Sequence, residues 1–235
     1  MEILEMSNIS KKLSKRTILD NISFSVSRGD IYGLIGPNGA GKTTTLKIIT
    51  GLMKPDQGRI VINGFDLSKN HDEAISNIGA IIENPSLYEY LSGIDNLKIV
   101  AKIRAINYKE LDKIINIIGL KDRINDKVKK YSLGMKQRLA IGCAIVSSPK
   151  ILILDEPTNG LDPTGIIELR EFLKMLSTKD TTILISSHQL SEIEQICNKV
   201  AFINNGKILM KDSVENILKN KINLEEKYIE LITKG

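Results

Sequence analysis

One eight-residue stretch constrains this chain more than any other. Gly36–Pro37–Asn38–Gly39–Ala40–Gly41–Lys42–Thr43 fits the pattern G-x-x-x-x-G-K-[ST]. Its glycines let backbone N–H groups converge on an anion at a helix N-terminus, where the dipole favours negative charge. Lys42 adds a point charge that reaches terminal phosphates, and the Thr43 hydroxyl suits Mg²⁺. The flanks agree with this reading. Ile31–Tyr32–Gly33–Leu34–Ile35 is apolar throughout, as a strand buried on both faces is. Residues 42–50 read as a helix closed by Gly51. The bland alternative, a Gly-rich turn without a ligand, does not account for a buried strand before the loop and a helix after it.

A second element lies far along the chain. Ile151–Leu152–Ile153–Leu154 runs into Asp155–Glu156. Carboxylates at the C-terminal end of a buried parallel strand sit in the crevice where such sheets bind ligands. Asp155 is the candidate to hold Mg²⁺, directly or through water, and Glu156 the candidate general base that polarises an attacking water. Taken alone, Asp-Glu-Pro is as well explained as turn chemistry. His188 directly follows the strand Thr182–Ile183–Leu184–Ile185–Ser186, so it reaches the same edge. A neutral imidazole there can bond a γ-phosphate or the attacking water. Ser132 is a plausible N-cap of a long helix over 133–146, and Gly134 leaves its first turn open to a ligand. An ordinary capped helix explains these two residues equally well.

The remaining pattern sets the fold class. Strand, helix and strand between residues 151 and 186 mean a parallel sheet. Ile22–Ser23–Phe24–Ser25–Val26 alternates as a half-buried strand, and Asn63–Gly64 and Asn205–Gly206 are hairpin turn signals. From 84 to 148 the apolar residues recur at helical spacing, with Ile94, Leu97 and Ala101 on one face and Leu111, Ile114, Ile115 and Ile118 on another. The expected organisation is a single α/β domain. Its core comprises 1–83 and 149–212, with an antiparallel β region near the start. A helical subdomain is inserted at 84–148, and a charged tail follows over 213–235.

Composition excludes other classes. The 33 basic and 28 acidic residues give a net +5, and the basic runs near Lys11 and Lys127 lack the interleaved aromatics of a nucleic-acid groove. No nucleic-acid partner is therefore expected. No apolar run approaches the roughly 18 residues of a membrane span, and the first residues do not read as a signal peptide. Cys143 and Cys197 fit no metal or redox spacing and read as reduced, buried thiols.

In their order and wording the motifs resemble the ATP-binding subunits of ABC transporters. Gly36–Thr43 matches that family's Walker A, Ser132 and Gly134 its signature, Asp155 and Glu156 its Walker B, Gly160–Leu161–Asp162 its D-loop and His188 its switch histidine. The resemblance implies a P-loop NTPase core of the ABC ATPase type with the two subdomains above, and ATP and Mg²⁺ as ligands. It implies nucleotide contacts from the loop, from Thr44, and from Ser132, Gly134 and Asp162 acting across a dimer. A head-to-tail pair of copies would enclose two ATP and drive a separate membrane permease from the cytoplasmic face of the membrane. Two departures stand out. Glu83 occupies the place of the usual Gln and is expected near Mg²⁺. Leu13 replaces the usual adenine-stacking aromatic, with Tyr32 and Phe65 as alternative platforms. Glu83 and the wording Ser-Leu-Gly-Met-Lys-Gln-Arg are similar to bacitracin-resistance and lantibiotic self-immunity exporters. The alternative function is a soluble ABC-type ATPase of a cofactor-assembly complex.

Overall fold

The computed structural model describes residues 1–83, 86–178, 181–219 and 223–233. The hairpin of β1 (Glu2–Leu13) and β2 (Arg16–Ser27) precedes β3 (Ile31–Ile35) and α1 (Lys42–Ile49). Then come β4 (Gln57–Ile62), β5 (Phe65–Asp66), α2 (His71–Ser76) and β6 (Ile78–Ile81). The helices α3 (Gly93–Ile103), α4 (Leu111–Ile118) and α5 (Leu133–Ile145) separate β6 from β7 (Ile151–Asp155). The chain continues through α6 (Pro163–Ser177), β8 (Thr182–Ser187), α7 (Leu190–Ile196), β9 (Lys199–Asn204) and β10 (Lys207–Ser213), and closes with α8 (Val214–Leu218) and α9 (Leu224–Thr233).

Two sheets organise these elements. Four strands form an antiparallel sheet in the order β2-β1-β4-β5. Six form a second sheet in the order β10-β9-β3-β8-β7-β6, parallel from β9 to β6 with β10 antiparallel at one edge. The second sheet divides the interior. Ile151 and Ile153 of β7 face a core shared with the antiparallel sheet, which holds Leu4, Phe24, Leu46 and Ile62. Leu152 and Leu154 face the opposite core, built from α3–α6 and the C-terminal helices. All four are fully buried, as a strand covered on both faces requires. The inserted helices rest directly on the sheet, because Gly79 of β6 leaves no room for a side chain: a Cβ there would stand 2.3 Å from the Ala144 carbonyl oxygen.

Most sequence expectations hold. Ile22, Phe24 and Val26 are buried while Ser25 is exposed. Both Asn-Gly pairs make two-residue hairpins; Asn63 and Gly64 both take positive φ, 48° and 86°. On α3, Leu97 and Ala101 are fully buried while Ile94 is half-buried, and on α4 the expected face of Leu111, Ile114, Ile115 and Ile118 is buried. Two features went unread. The strand β1 breaks its two-residue period, burying both Ile3 and Leu4 and bulging near Asn8, whose φ is 54°. The tail holds two helices, and Tyr228 of α9 stacks on Phe202 of β9 at 5.9 Å between ring centroids.

Both thiols are free. Cys197 is buried as expected, whereas Cys143 is only partly covered, on the side of α5 that flanks a groove. Desolvation pushes the Cys143 thiol up to about 12 and that of Cys197 higher still. Because the thiolate is the reactive form, both should react with a disulfide reagent at pH 8 roughly 10³-fold more slowly in the native protein than in urea. A colorimetric thiol assay checks this; two equivalents released at the unfolded rate would contradict the burial.

Candidate nucleotide-binding site

The parallel register delivers the site residues to one edge. Ile35 of β3 pairs with Ser187 of β8, Asp155 of β7 with Ser186, and Ile81 of β6 with Leu154. The phosphate loop, His188, Glu156 and Glu83 therefore leave four adjacent strands at the same end, in the crevice where such sheets take ligands.

The loop is shaped by close approach and backbone conformation. A Cβ on Gly36 would stand 2.2 Å from the Ile203 carbonyl oxygen, so only glycine fits. Gly41 caps α1 with φ 108°, a left-handed value that glycine adopts without strain. Pro37, Asn38 and Gly39 are exposed at the crest, Ala40 is buried and Thr44 is half-buried. Lys42 is buried and folds back over the loop. Its ammonium donates to the Gly36 carbonyl at 2.6 Å and the Pro37 carbonyl at 3.2 Å, and meets Glu156 Oε1 at 3.1 Å.

The acids are oriented by β8. Thr43 Oγ1 donates to Asp155 Oδ2 at 2.8 Å, and Ser186 Oγ donates to Asp155 Oδ1. The Glu156 N–H donates to the Ser186 carbonyl and hydroxyl, 3.1 Å from each. Glu156 sits at φ 49°, a costly conformation for a residue with a Cβ, and such strain concentrates at functional sites. Its Oε2 meets His188 Nδ1 at 2.8 Å. An ionised carboxylate only accepts, so this bond places the ring proton on Nδ1. A neutral ring then presents the Nε2 lone pair, which accepts from water; donating to a phosphate oxygen there requires a second proton. Ser186 was missed in the sequence, although the strand-end position directly before Ser187 and His188 is its signal.

The other candidates spread further. Glu83, with φ 65°, has its carboxylate on Lys47 of α1 at 2.6 Å rather than on Thr43 or Asp155. Leu13 is exposed at the tip of the β1–β2 hairpin, paired with Arg16. Tyr32 is buried and stacked on Phe24 at 5.6 Å, which removes it as an adenine platform. Phe65 lies on β5, three strands from β2 and so about 14 Å across the sheet. Ser132 caps α5 by accepting from the Met135 N–H, and Asp162 caps α6 by accepting from the Gly165 N–H. A Cβ on Gly134 would meet nothing within 4 Å.

This arrangement suits a nucleoside triphosphate. Amides of the loop and the Lys42 ammonium can bind its phosphates. Thr43 and Asp155 bring two hard oxygen donors together from elements 112 residues apart, and this donor set fits Mg²⁺. Among the described residues no cluster of three His, Cys, Asp or Glu side chains forms a metal cage. Mg²⁺ takes one or two protein carboxylates and completes its shell with phosphates and water. When bound, the ion would neutralise phosphate charge. Glu156, held by the Lys42 and His188 contacts, is placed to accept a proton from water.

Residues 19–159, more than half of the chain, match the family described as ABC transporter. The chain is 42% identical to the lantibiotic transport ATP-binding protein SrtF of Streptococcus pyogenes, over 96% of this chain and 100% of that protein. It is 43% identical to the bacitracin transport ATP-binding protein BcrA of Bacillus licheniformis, over 97% of this chain and 74% of that one. A solved structure of an ATP-binding subunit of an ABC transporter superposes with a TM-score of 0.86 at 33% identity, covering 98% of this chain and 99% of that one. Fold, loop, acids and relatives agree, and the chain belongs to the ATP-binding ATPase subunits of the ABC transporter family.

Proposed function

We propose that this chain hydrolyses ATP to power a membrane permease that exports an antimicrobial peptide, as in lantibiotic immunity or bacitracin resistance. The convergence of Lys42, Thr43, Asp155, Glu156 and His188 at one sheet edge carries the ATPase part of this reading. The peptide part rests on the names of the relatives and on Glu83 in place of Gln. Glu156 acts as base with His188 behind it, Thr43, Asp155 and Glu83 serve Mg²⁺, and Leu13 lies at the adenine.

Two copies act together in this reading. Ser132 and Gly134 stand on the inserted helices, and the flank of Gly134 is open, so no packing within this chain calls for a glycine there. A phosphate supplied by a second copy explains it: the capped N-terminus of α5 offers amides and dipole, and Gly134 allows close approach. Asp162 lies in the same inter-copy layer. No helix among the described residues is long and apolar enough to cross a membrane, and in this reading the membrane spans belong to permease subunits. A groove of about 320 Å³ between β6, α3 and α5, flanked by the exposed Tyr88, offers them a docking place beside Glu83. The chain then works as a peripheral protein at the cytoplasmic membrane face.

Replacing Glu156 with Gln keeps its shape and removes the base. ATP should still bind, turnover should fall roughly 10²-fold or more, and the variant should elute as a dimer on size exclusion with ATP and Mg²⁺. A monomer that hydrolyses at the normal rate would sink the assignment. Purification of the tagged chain from its own membranes should retain multi-span proteins; recovery with soluble assembly proteins alone would favour a cofactor-assembly role.

Leu13 has no π-face. Stacking on an aromatic is worth about 1–3 kcal/mol per base, so Leu13→Tyr should tighten ATP binding about fivefold or more. Calorimetric titration of both proteins checks this, and equal affinities would remove Leu13 from the adenine.

A further inference from the structure

We propose that Lys47 is the positioning residue that fits a carboxylate at position 83, and that the Lys47–Glu83 pair sets how strongly nucleotide binding depends on a divalent cation. The proposal rests on the nucleotide-site reading above. Ile81, the last paired residue of β6, lies opposite Leu154, so Glu83, two residues on, leaves β6 at the edge where β7 ends in Asp155. Neighbouring strands lie about 4.8 Å apart. Three carboxylates are thus brought to one crevice edge. Asp155 and Glu156 are held by Thr43, Ser186, Lys42 and His188. Glu83 is held by Lys47 Nζ at 2.6 Å.

Lys47 comes four residues after Thr43 on α1, so the two side chains share a helix face one turn apart. Its ammonium therefore stands one turn beyond the hydroxyl suited to Mg²⁺ and draws the Glu83 carboxylate towards that turn. A neutral Gln at position 83 would need no such cation. Glu83 is exposed and Lys47 half-buried, and ion pairs this open to solvent add little to stability, so substitutions here should leave the fold intact. Their effect falls on the charge of the site. Loss of Lys47 frees the Glu83 carboxylate from α1 and leaves it to turn towards the phosphates, which disfavours phosphate and favours a divalent cation. With Gln at position 83 there is no carboxylate to free, so loss of Lys47 there has little left to act through.

Titration of the full chain with a fluorescent ATP analogue, in EDTA and across a Mg²⁺ series, tests this in a double-mutant cycle. Lys47→Gln should weaken metal-free nucleotide binding roughly three- to tenfold and raise the apparent Mg²⁺ affinity by a similar factor. The same substitution in a Glu83→Gln background should change the Mg²⁺ affinity by less than about twofold, because Lys47 acts through Glu83. Lys47→Arg should behave as the unaltered chain does. Thermal midpoints close to that of the unaltered chain would show that the fold is retained. An equal Mg²⁺ shift in both backgrounds, or none in either, would overturn the proposal. Failure of the unaltered chain to bind ATP would overturn the nucleotide-site reading itself, and the proposal with it.

Discussion

The parallel register between β7 and β8 is the constraint on which the site depends. It sets Asp155 opposite Ser186 and so lets one serine serve two acids. The Ser186 hydroxyl donates to Asp155, while its carbonyl and hydroxyl receive the N–H of Glu156. Asp155 then meets Thr43, and Glu156 meets Lys42 and His188. The strand that supplies the carboxylates is not the strand that aims them. A slip of one residue would turn every side chain of β7 to the other face and dismantle this arrangement. Burial of all five β7 residues opposes such a slip.

Much of this was legible in the sequence because chemistry and backbone geometry both restrict residue type. A loop that must turn sharply and cradle phosphate needs glycines, and a strand buried on both faces needs an unbroken apolar run. Asn-Gly pairs announce their turns because few residues tolerate positive φ in succession. What stayed hidden depends on contacts between distant segments. The apolar run of β3 implies burial on both faces, but it does not reveal that the antiparallel sheet covers Tyr32, which leaves that ring stacked on Phe24 and unavailable to adenine. The strand β1 was obscured by its bulges. The contact of Lys47 with Glu83 joins residues 36 apart through the packing of α1 against the sheet edge, and no local pattern signals it.

Two glycines show how differently one residue type can be required. Gly36 is imposed from within, since any side chain would strike the backbone at Ile203. Gly134 is not, since the space beside it is open and Ser132 already completes the cap of α5. The first is explained by one molecule folding; the second has no such explanation within the chain, and the contact with a second copy proposed above would supply one. Asp162 spans both accounts, capping α6 in its own chain while lying in the segment that the family resemblance assigns to the layer between copies.

The six-stranded sheet acts as a single partition wall with a filled room on each side. Ile151 and Ile153 look into one, Leu152 and Leu154 into the other. Deleting buried side chain atoms from such a strand costs about 2–5 kcal/mol at a Leu or Ile, against a total stability of roughly 5–15 kcal/mol for a domain. A void opened in either room presses on the same wall, and the wall ends in Asp155. The catalytic edge is thus answerable to two interiors at once. Variation deep inside either of them, far from any nucleotide, is constrained by the precision with which that edge must be held.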